Sequence, residues 1–288
     1  MDQILITGAT GRIGRELVRL LNEARIPVRV LVRTHEAAAT LERPGVQPLV
    51  GDLDVPETLD EALAGVQKLF LLSPADPRLV DQQGQAAEAA KRAGVQHIVK
   101  VSTLGADPES PVSFARWHAH VEQHIERSGF TYTHLRPHYF MQNTLAFAPT
   151  IASESRLYAP MRDGRIGLVD CRDVAAVAAR VLTEPGHENR VHEITGAVAL
   201  SFADIASEIG AAIGKPVQYV NVRPSEAEKA MISDGVPGWL AGALIDLYAI
   251  FSADHASATT RVVEELSGKP PRTFAAFARE FSREFSAP

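Results

Sequence analysis

The sequence predicts an α/β protein built on a doubly wound parallel sheet. Apolar runs rich in Val, Leu and Ile recur at 4–7, 28–32, 46–50, 68–72, 97–101 and 132–136. Each has the length of a strand, and together they are rich in β-branched residues and leucine, as strands buried on both faces are. Segments with helical periodicity fill the gaps at 12–24, 57–64, 79–93 and 114–128. Strand–helix alternation at this spacing needs crossover connections, which are right-handed and lay successive strands parallel.

The first strand runs directly into Gly8-Ala-Thr10-Gly11-Arg12-Ile13-Gly14, and an apolar helical stripe, Leu17, Val18, Leu20 and Leu21, follows at once. A strand, a tight turn and a helix start of this kind bring backbone N–H groups and the positive helix end up to a phosphate. Gly8 permits the sharp turn, Gly11 leaves room for a pyrophosphate, and Gly14 lets the helix lie close on the strand. The spacing is a variant of the dinucleotide fingerprint, and its position after the opening strand gives it weight. Thr10, Gly11, Arg12 and Ile13 are thus candidate cofactor contacts along with Gly8. Gly94 and Gly129 stand where later helices stop.

After about residue 140 the rhythm changes. Short strands are expected at 168–170 and 191–194 around a helix at 173–182, and another strand at 217–222. Ser201 is placed to cap a helix, with Asp204 three residues on. Phe274, Phe277, Phe281 and Phe285 share one face of a final helix and predict docking on a core. The expected organisation is a Rossmann-like dinucleotide-binding domain over 1–150. A smaller carboxyl-terminal α/β lobe over 151–288 partly returns to it and faces substrate.

Bulk properties narrow the function. The chain has 288 residues, 45% hydrophobic and 22% charged, with a net charge of −6 and no long basic run. Nucleic acid is therefore not an expected partner. A single cysteine, Cys171, excludes an internal disulfide and a cysteine-based zinc site. No basic segment followed by an apolar run marks a secretory signal, and the apolar stretch 236–251 is interrupted by Pro237, two glycines and Asp246. A cytoplasmic protein without a membrane span is expected. His120 and His124 are spaced as a metal-binding pair, but no third ligand is evident and no metal is expected.

The second strand ends at Arg33, about twenty residues after the glycine turn, where an NAD site carries an acidic residue for the ribose 2′-hydroxyl. A guanidinium there suits a 2′-phosphate instead, since it offers a planar fork of donors to an anion. With Arg12 able to close on the same phosphate, the pattern predicts NADP(H). Asp52 and Leu53 follow the third strand. Asp52 is placed to accept from the adenine amino group or to cap the next helix, and Leu53 to pack on the ring. Ser73 and Pro74 end the fourth strand near the switch point of such a sheet. Tyr139, Phe140 and Asn143, just past the sixth strand, are either contacts for a flat substrate or core packing.

On these residues the chain resembles the atypical short-chain dehydrogenase/reductase superfamily. It is most similar to the NmrA-like branch that includes NADPH:quinone oxidoreductases and triphenylmethane dye reductases. The resemblance also covers Gly51-Asp52-Leu53, Val99-Lys-Val-Ser102-Thr103, the His118-x3-Glu122 pair, Ser128-Gly129, Tyr132-Thr-His-Leu-Arg136-Pro137 and Val169-Asp170-Cys-Arg-Asp173. Most of the superfamily uses a Tyr-x3-Lys pair, whose tyrosine acts as the acid. The matching positions here are Phe114 and His118. Phenylalanine cannot transfer a proton, so the resemblance implies hydride transfer to a quinone or similar flat acceptor, which needs little acid help. His118 then either holds the nicotinamide ribose or donates a proton. The expected partner is a small aromatic or quinone-like substrate, and a homodimer is compatible with this reading. The same branch contains non-catalytic NADP-binding regulators that bind a protein partner, which is the alternative.

Overall fold

The computed structural model describes residues 3–286. In chain order it lays down β1 (Ile4–Ile6), α1 (Arg12–Glu23), β2 (Val28–Val32), α2 (His35–Leu41), β3 (Val46–Val50) and a 3-10 turn (Pro56–Thr58). Then come α3 (Leu59–Leu63), β4 (Lys68–Leu71), α4 (Leu79–Ala93), β5 (His97–Val101), α5 (Ser113–Arg127) and β6 (Thr131–Pro137). A 3-10 segment (Met141–Phe147), α6 (Ala148–Glu154), β7 (Arg156–Ala159) and β8 (Arg165–Ile166) follow, then α7 (Cys171–Thr183) and β9 (Arg190–Ile194). The chain closes with β10 (Leu200–Ser201), α8 (Phe202–Ile213), β11 (Gln218–Asn221), α9 (Pro224–Ser233), α10 (Gly238–Ser252), α11 (Val262–Ser267), α12 (Phe274–Glu280) and α13 (Ser282–Ser286).

Two compact units result. One comprises Met1–Ser110, Phe114–Pro137 and Cys171–Glu193, the other Pro111–Ser113, His138–Asp170 and Ile194–Pro288. The break follows Pro137, where β6 ends, earlier than the expected boundary at 150.

The first unit is the Rossmann-like part. Its sheet has seven strands in the order β3-β2-β1-β4-β5-β6-β9. The pairings β1–β2, β1–β4, β2–β3, β4–β5 and β5–β6 are all parallel. Strand order turns back between β1 and β4, and ligands of such sheets lie beyond the carboxyl ends of the strands at that point. The strands are apolar because helices cover both faces: Leu5, Ile6, Phe70, Leu71 and Ile98 are all buried. Thr7 ties the two central strand ends together, its Oγ1 accepting from Leu72 N at 2.8 Å.

The second unit carries a parallel pair, β7 with β11, and an antiparallel pair, β8 with β10. Its core gathers Ile151, Leu157, Phe202, Ile205, Phe277 and Phe285. Ser201 caps α8 with the expected box: its hydroxyl accepts from Asp204 N, and the Asp204 carboxylate accepts from Ser201 N. The phenylalanines of the final segment do pack inward, with Phe281 only partly buried, and the helix breaks there into α12 and α13.

One expected strand is absent, one returns to the first unit's sheet as expected, and one helix had no expectation. The segment 168–170 forms no strand; Val169 makes a single bridge with Phe140. The strand at 190–194 takes the edge of the large sheet beside β6. The short helix α2 was not signalled by periodicity; Thr34 starts it by accepting from Ala37 N. α10, which holds most of the apolar stretch, has 15 residues, and no helix among the described residues is long and apolar enough to cross a membrane.

Candidate active site

The glycine turn is built as a phosphate cradle. Gly8 has φ +65°, a conformation side chains resist, and a Cβ there would lie 2.8 Å from Leu72 O. At Gly14 a Cβ would sit 2.2 Å from Gly8 O and 2.8 Å from Ala9 Cα, so α1 can approach the turn this closely only with glycine. Gly11 differs: a Cβ there meets only Gly8 O, at 3.3 Å, and the residue is exposed. Its lack of a side chain serves whatever lies outside the turn. Gly11 N donates to Gly8 O at 3.0 Å, while the first amides of α1 have no acceptor within the helix. The Ile13 side chain is buried in the core, so only its backbone can serve a ligand. Thr10 is exposed, and its carbonyl accepts from Arg15 Nε at 2.8 Å.

Arg12 and Arg33 are exposed, and neither side chain has an ion pair or hydrogen bond among the described residues. Arg33 directly follows β2, whose Val30 pairs with Ile6 of β1, so both guanidiniums stand at the same edge of the sheet. Two free cations beside a cradle of unsatisfied amides fit a phosphorylated dinucleotide.

Beyond β3, the loop at Asp52 is closed by Thr58, whose Oγ1 accepts from Asp52 N at 2.9 Å. The Asp52 carboxylate accepts from Asp54 N at 3.1 Å, so it shapes its own turn and does not cap the next helix. Leu53 is partly buried against the first unit's core. Ser73 Oγ accepts from Gln83 Nε2 at 2.9 Å, and Pro74 is exposed.

A buried polar cluster lies on β5, β6 and α5. Lys100 has no exposed surface, yet Nζ lies 2.7 Å from His118 Nδ1 and donates to Val101 O at 3.2 Å. Burial lowers the Lys100 ammonium to about 7; Glu122 acts in its favour and Arg136 against it. Burial, and then the Lys100 charge, hold His118 well below the usual histidine range, so its ring is neutral near pH 7. His118 Nε2 has no hydrogen-bond partner among the described residues. Glu122, 3% exposed, receives both arms of the Arg136 guanidinium, at 2.5 and 3.1 Å. Burial opposes its charge, but Arg136, His134 and Ser102 together outweigh that and keep the carboxylate low. His134, fully buried, is lowered by burial to about 4 and lies 3.2 Å from Glu126. Phe114, half-buried, has no proton to give.

Lys100 was missed by pattern reading. Its signal was present: a lysine inside the apolar strand His97-Ile-Val-Lys100-Val101 is anomalous in a strand buried on both faces.

In the second unit, Tyr139 is buried; its ring meets Phe251 edge-on and its hydroxyl lies 3.4 Å from that of Tyr248. Phe140 is half-buried and Asn143 exposed. Of these three, Tyr139 is thus core packing, while Phe140 and Asn143 keep surface for a ligand. The described residues hold no cluster of three or more metal-ligating side chains.

The family model described as NmrA-like matches residues 1–278. An NAD(P)H azoreductase of Xenophilus azovorans is 42% identical over 284 residues, covering 99% of both chains. The NADPH-dependent quinone oxidoreductase of Escherichia coli, solved with NADPH, superposes with a TM-score of 0.90 at 33% identity, over 96% of this chain and 99% of that one. The triphenylmethane reductase of Citrobacter sp., solved with NADP(H), gives 0.85 at 28% identity, over 97% and 99%. A glycine turn at the switch point, a free arginine after β2 and a match along nearly the whole chain converge: this chain belongs to the NmrA-like family.

Proposed function

We propose that the protein is an NAD(P)H-dependent oxidoreductase, preferring NADPH, that passes hydride to a flat, electron-poor acceptor such as a quinone or dye. The observation that carries this reading is the cradle at Gly8, Gly11 and Gly14 with two unpaired guanidiniums, Arg12 and Arg33, at its edge. The first-turn amides of α1 hold the pyrophosphate, and Arg33 with Arg12 take the 2′-phosphate. Asp52 and Leu53 border the adenine, and Ser73 with Pro74 border the cofactor beyond β4. The bound cofactor supplies hydride.

The chain's part is orientation. Phe114 replaces the usual proton donor, which suits an acceptor whose reduced form is a stable anion or a neutral molecule. His118 is the residue we assign to hold the ribose or deliver a proton. Phe140 and Asn143 offer a ring face and an amide to a flat acceptor, with Tyr139 supporting that segment from the core. A cytoplasmic location fits this use of reduced cofactor. The similarity to the azoreductase and to the quinone and dye reductases supports the reading.

The test is oxidation of NADPH by the purified protein with and without a simple quinone, with NADH in parallel. Acceptor-dependent oxidation favouring NADPH is expected. Tight NADPH binding without turnover across quinones and dyes would overturn the reading in favour of a regulator.

A further inference from the structure

Reducing a quinone takes a hydride and one proton, because hydride addition alone leaves a hydroquinone anion. Phe114 cannot supply that proton. His118, neutral near pH 7, carries one ring proton, but a neutral imidazole does not release it unless its other nitrogen is protonated as the first proton leaves. Lys100 Nζ lies 2.7 Å from that other nitrogen, Nδ1.

The lysine enters from the strand under α5 with its whole side chain buried, and an ammonium is a donor only. Nδ1 must therefore accept from it, which leaves the ring proton on Nε2, the atom with no partner among the described residues. We propose that Lys100 is a positioning residue and proton reservoir for His118: it fixes the Nε2–H tautomer and reprotonates Nδ1 as Nε2–H passes to the reduced acceptor. This rests on the reductase reading above.

The step balances. The acceptor gains hydride and then the Nε2 proton; Nδ1 gains a proton from Nζ, which leaves Lys100 a neutral amine. Once the product has left, Nε2 takes a proton from water and Nδ1 returns its own to the buried Nζ, restoring both groups. The surroundings suit both states of the lysine. On α5, Glu122 favours the ammonium; on β6, Arg136 opposes it, and His134 is held neutral beside the pair.

The test compares two acceptors in the holoenzyme. A benzoquinone needs the proton; a cationic triphenylmethane dye takes hydride on carbon and becomes neutral without one. Lys100→Met is expected to lower the ratio of quinone to dye turnover roughly a hundredfold, the lower end of the range for acid catalysis. A merely structural lysine would slow both acceptors alike, and an unchanged ratio overturns the proposal.

The second readout needs no cofactor. Nitrogen-15 NMR of labelled histidine, with the His118 signal assigned by its loss in His118→Gln, is expected to show the Nε2–H tautomer in the native chain and a mixture in Lys100→Met. An Nδ1–H ring in the native chain, or the same tautomer in both chains, overturns the proposal. If Lys100→Met fails to fold, Lys100→Arg takes its place: arginine donates to Nδ1 but keeps its proton, so the tautomer persists while the turnover ratio falls. If neither acceptor is reduced, the reductase reading fails and the NMR result still decides the tautomer.

Discussion

Gly14→Ala tests the packing that forms the cradle. The new Cβ would lie 2.2 Å from Gly8 O and 2.8 Å from Ala9 Cα. Both are backbone atoms, so no side chain can swing aside; α1 must lift from the turn or the turn must open. Overpacking a close contact costs about 1–3 kcal/mol, and rigid neighbours put this case near 3. At about 2–4 °C per kcal/mol for a chain of this class, Tm should fall by roughly 6–12 °C. Gly11→Ala is the control. Its Cβ meets only Gly8 O at 3.3 Å, and its φ of −78° suits alanine. The loss there is about 0.5–1 kcal/mol, the usual difference at a helix cap, and Tm falls by no more than about 4 °C. Calorimetry on both variants and NADPH titration of Gly11→Ala separate the roles. Gly14→Ala should lose stability, and Gly11→Ala should lose at least about tenfold in affinity with the fold intact, one hydrogen bond to a charged group being worth that much. A Gly14→Ala protein melting within about 2 °C of the native chain would refute the reasoning.

Arg33→Ala should weaken NADPH binding about 10–100-fold and NADH binding hardly at all, the difference expected for charge-assisted bonds to a phosphate; equal losses by calorimetric titration would remove the phosphate role. Arg136→Ala strands the buried Glu122 carboxylate and should destabilise the fold by about 3 kcal/mol or more in urea unfolding, whereas a loss below about 1 would show that Glu122 finds another partner. Acid should destabilise the fold in a defined window. His97, His134 and His138 are each lowered by burial to about 4. The unfolded chain takes up these protons near pH 6.5 and the folded chain does not until about 4, so stability is full above pH 6.5 and is lost as pH falls between the two values. A Tm that stays flat across that window would contradict their neutral burial.

Much of the first unit was legible because its signals are local. Strands 28–32, 46–50 and 97–101 and helix 79–93 match the structure residue for residue, since buried parallel strands are apolar runs and a glycine such as Gly94, at φ +79°, ends a helix where it stands. The second unit was less legible. β7 gives no signal of its own and is defined only by pairing with β11, about sixty residues on, which the strand expected at 217–222 does locate. Tyr139 reads as a substrate residue from its place after the sixth strand; only the fold reveals Tyr248 and Phe251 packed against it. Lys100 is the instructive case. Periodicity smooths over one charged residue inside an apolar strand, although burying a lysine with no exposed surface is costly unless it is partnered.

The central claim, that hydride passes directly from the cofactor to a flat acceptor, is tested most directly by isotope tracing. NADPH carrying deuterium on the transferred face of C4 is incubated with the protein and a cationic triphenylmethane dye, whose central carbon keeps the label once reduced. The mass spectrum of the reduced dye should show one deuterium per molecule with the native chain. Unlabelled reduced dye, or no reduction of any acceptor in a panel of dyes and quinones, would contradict it.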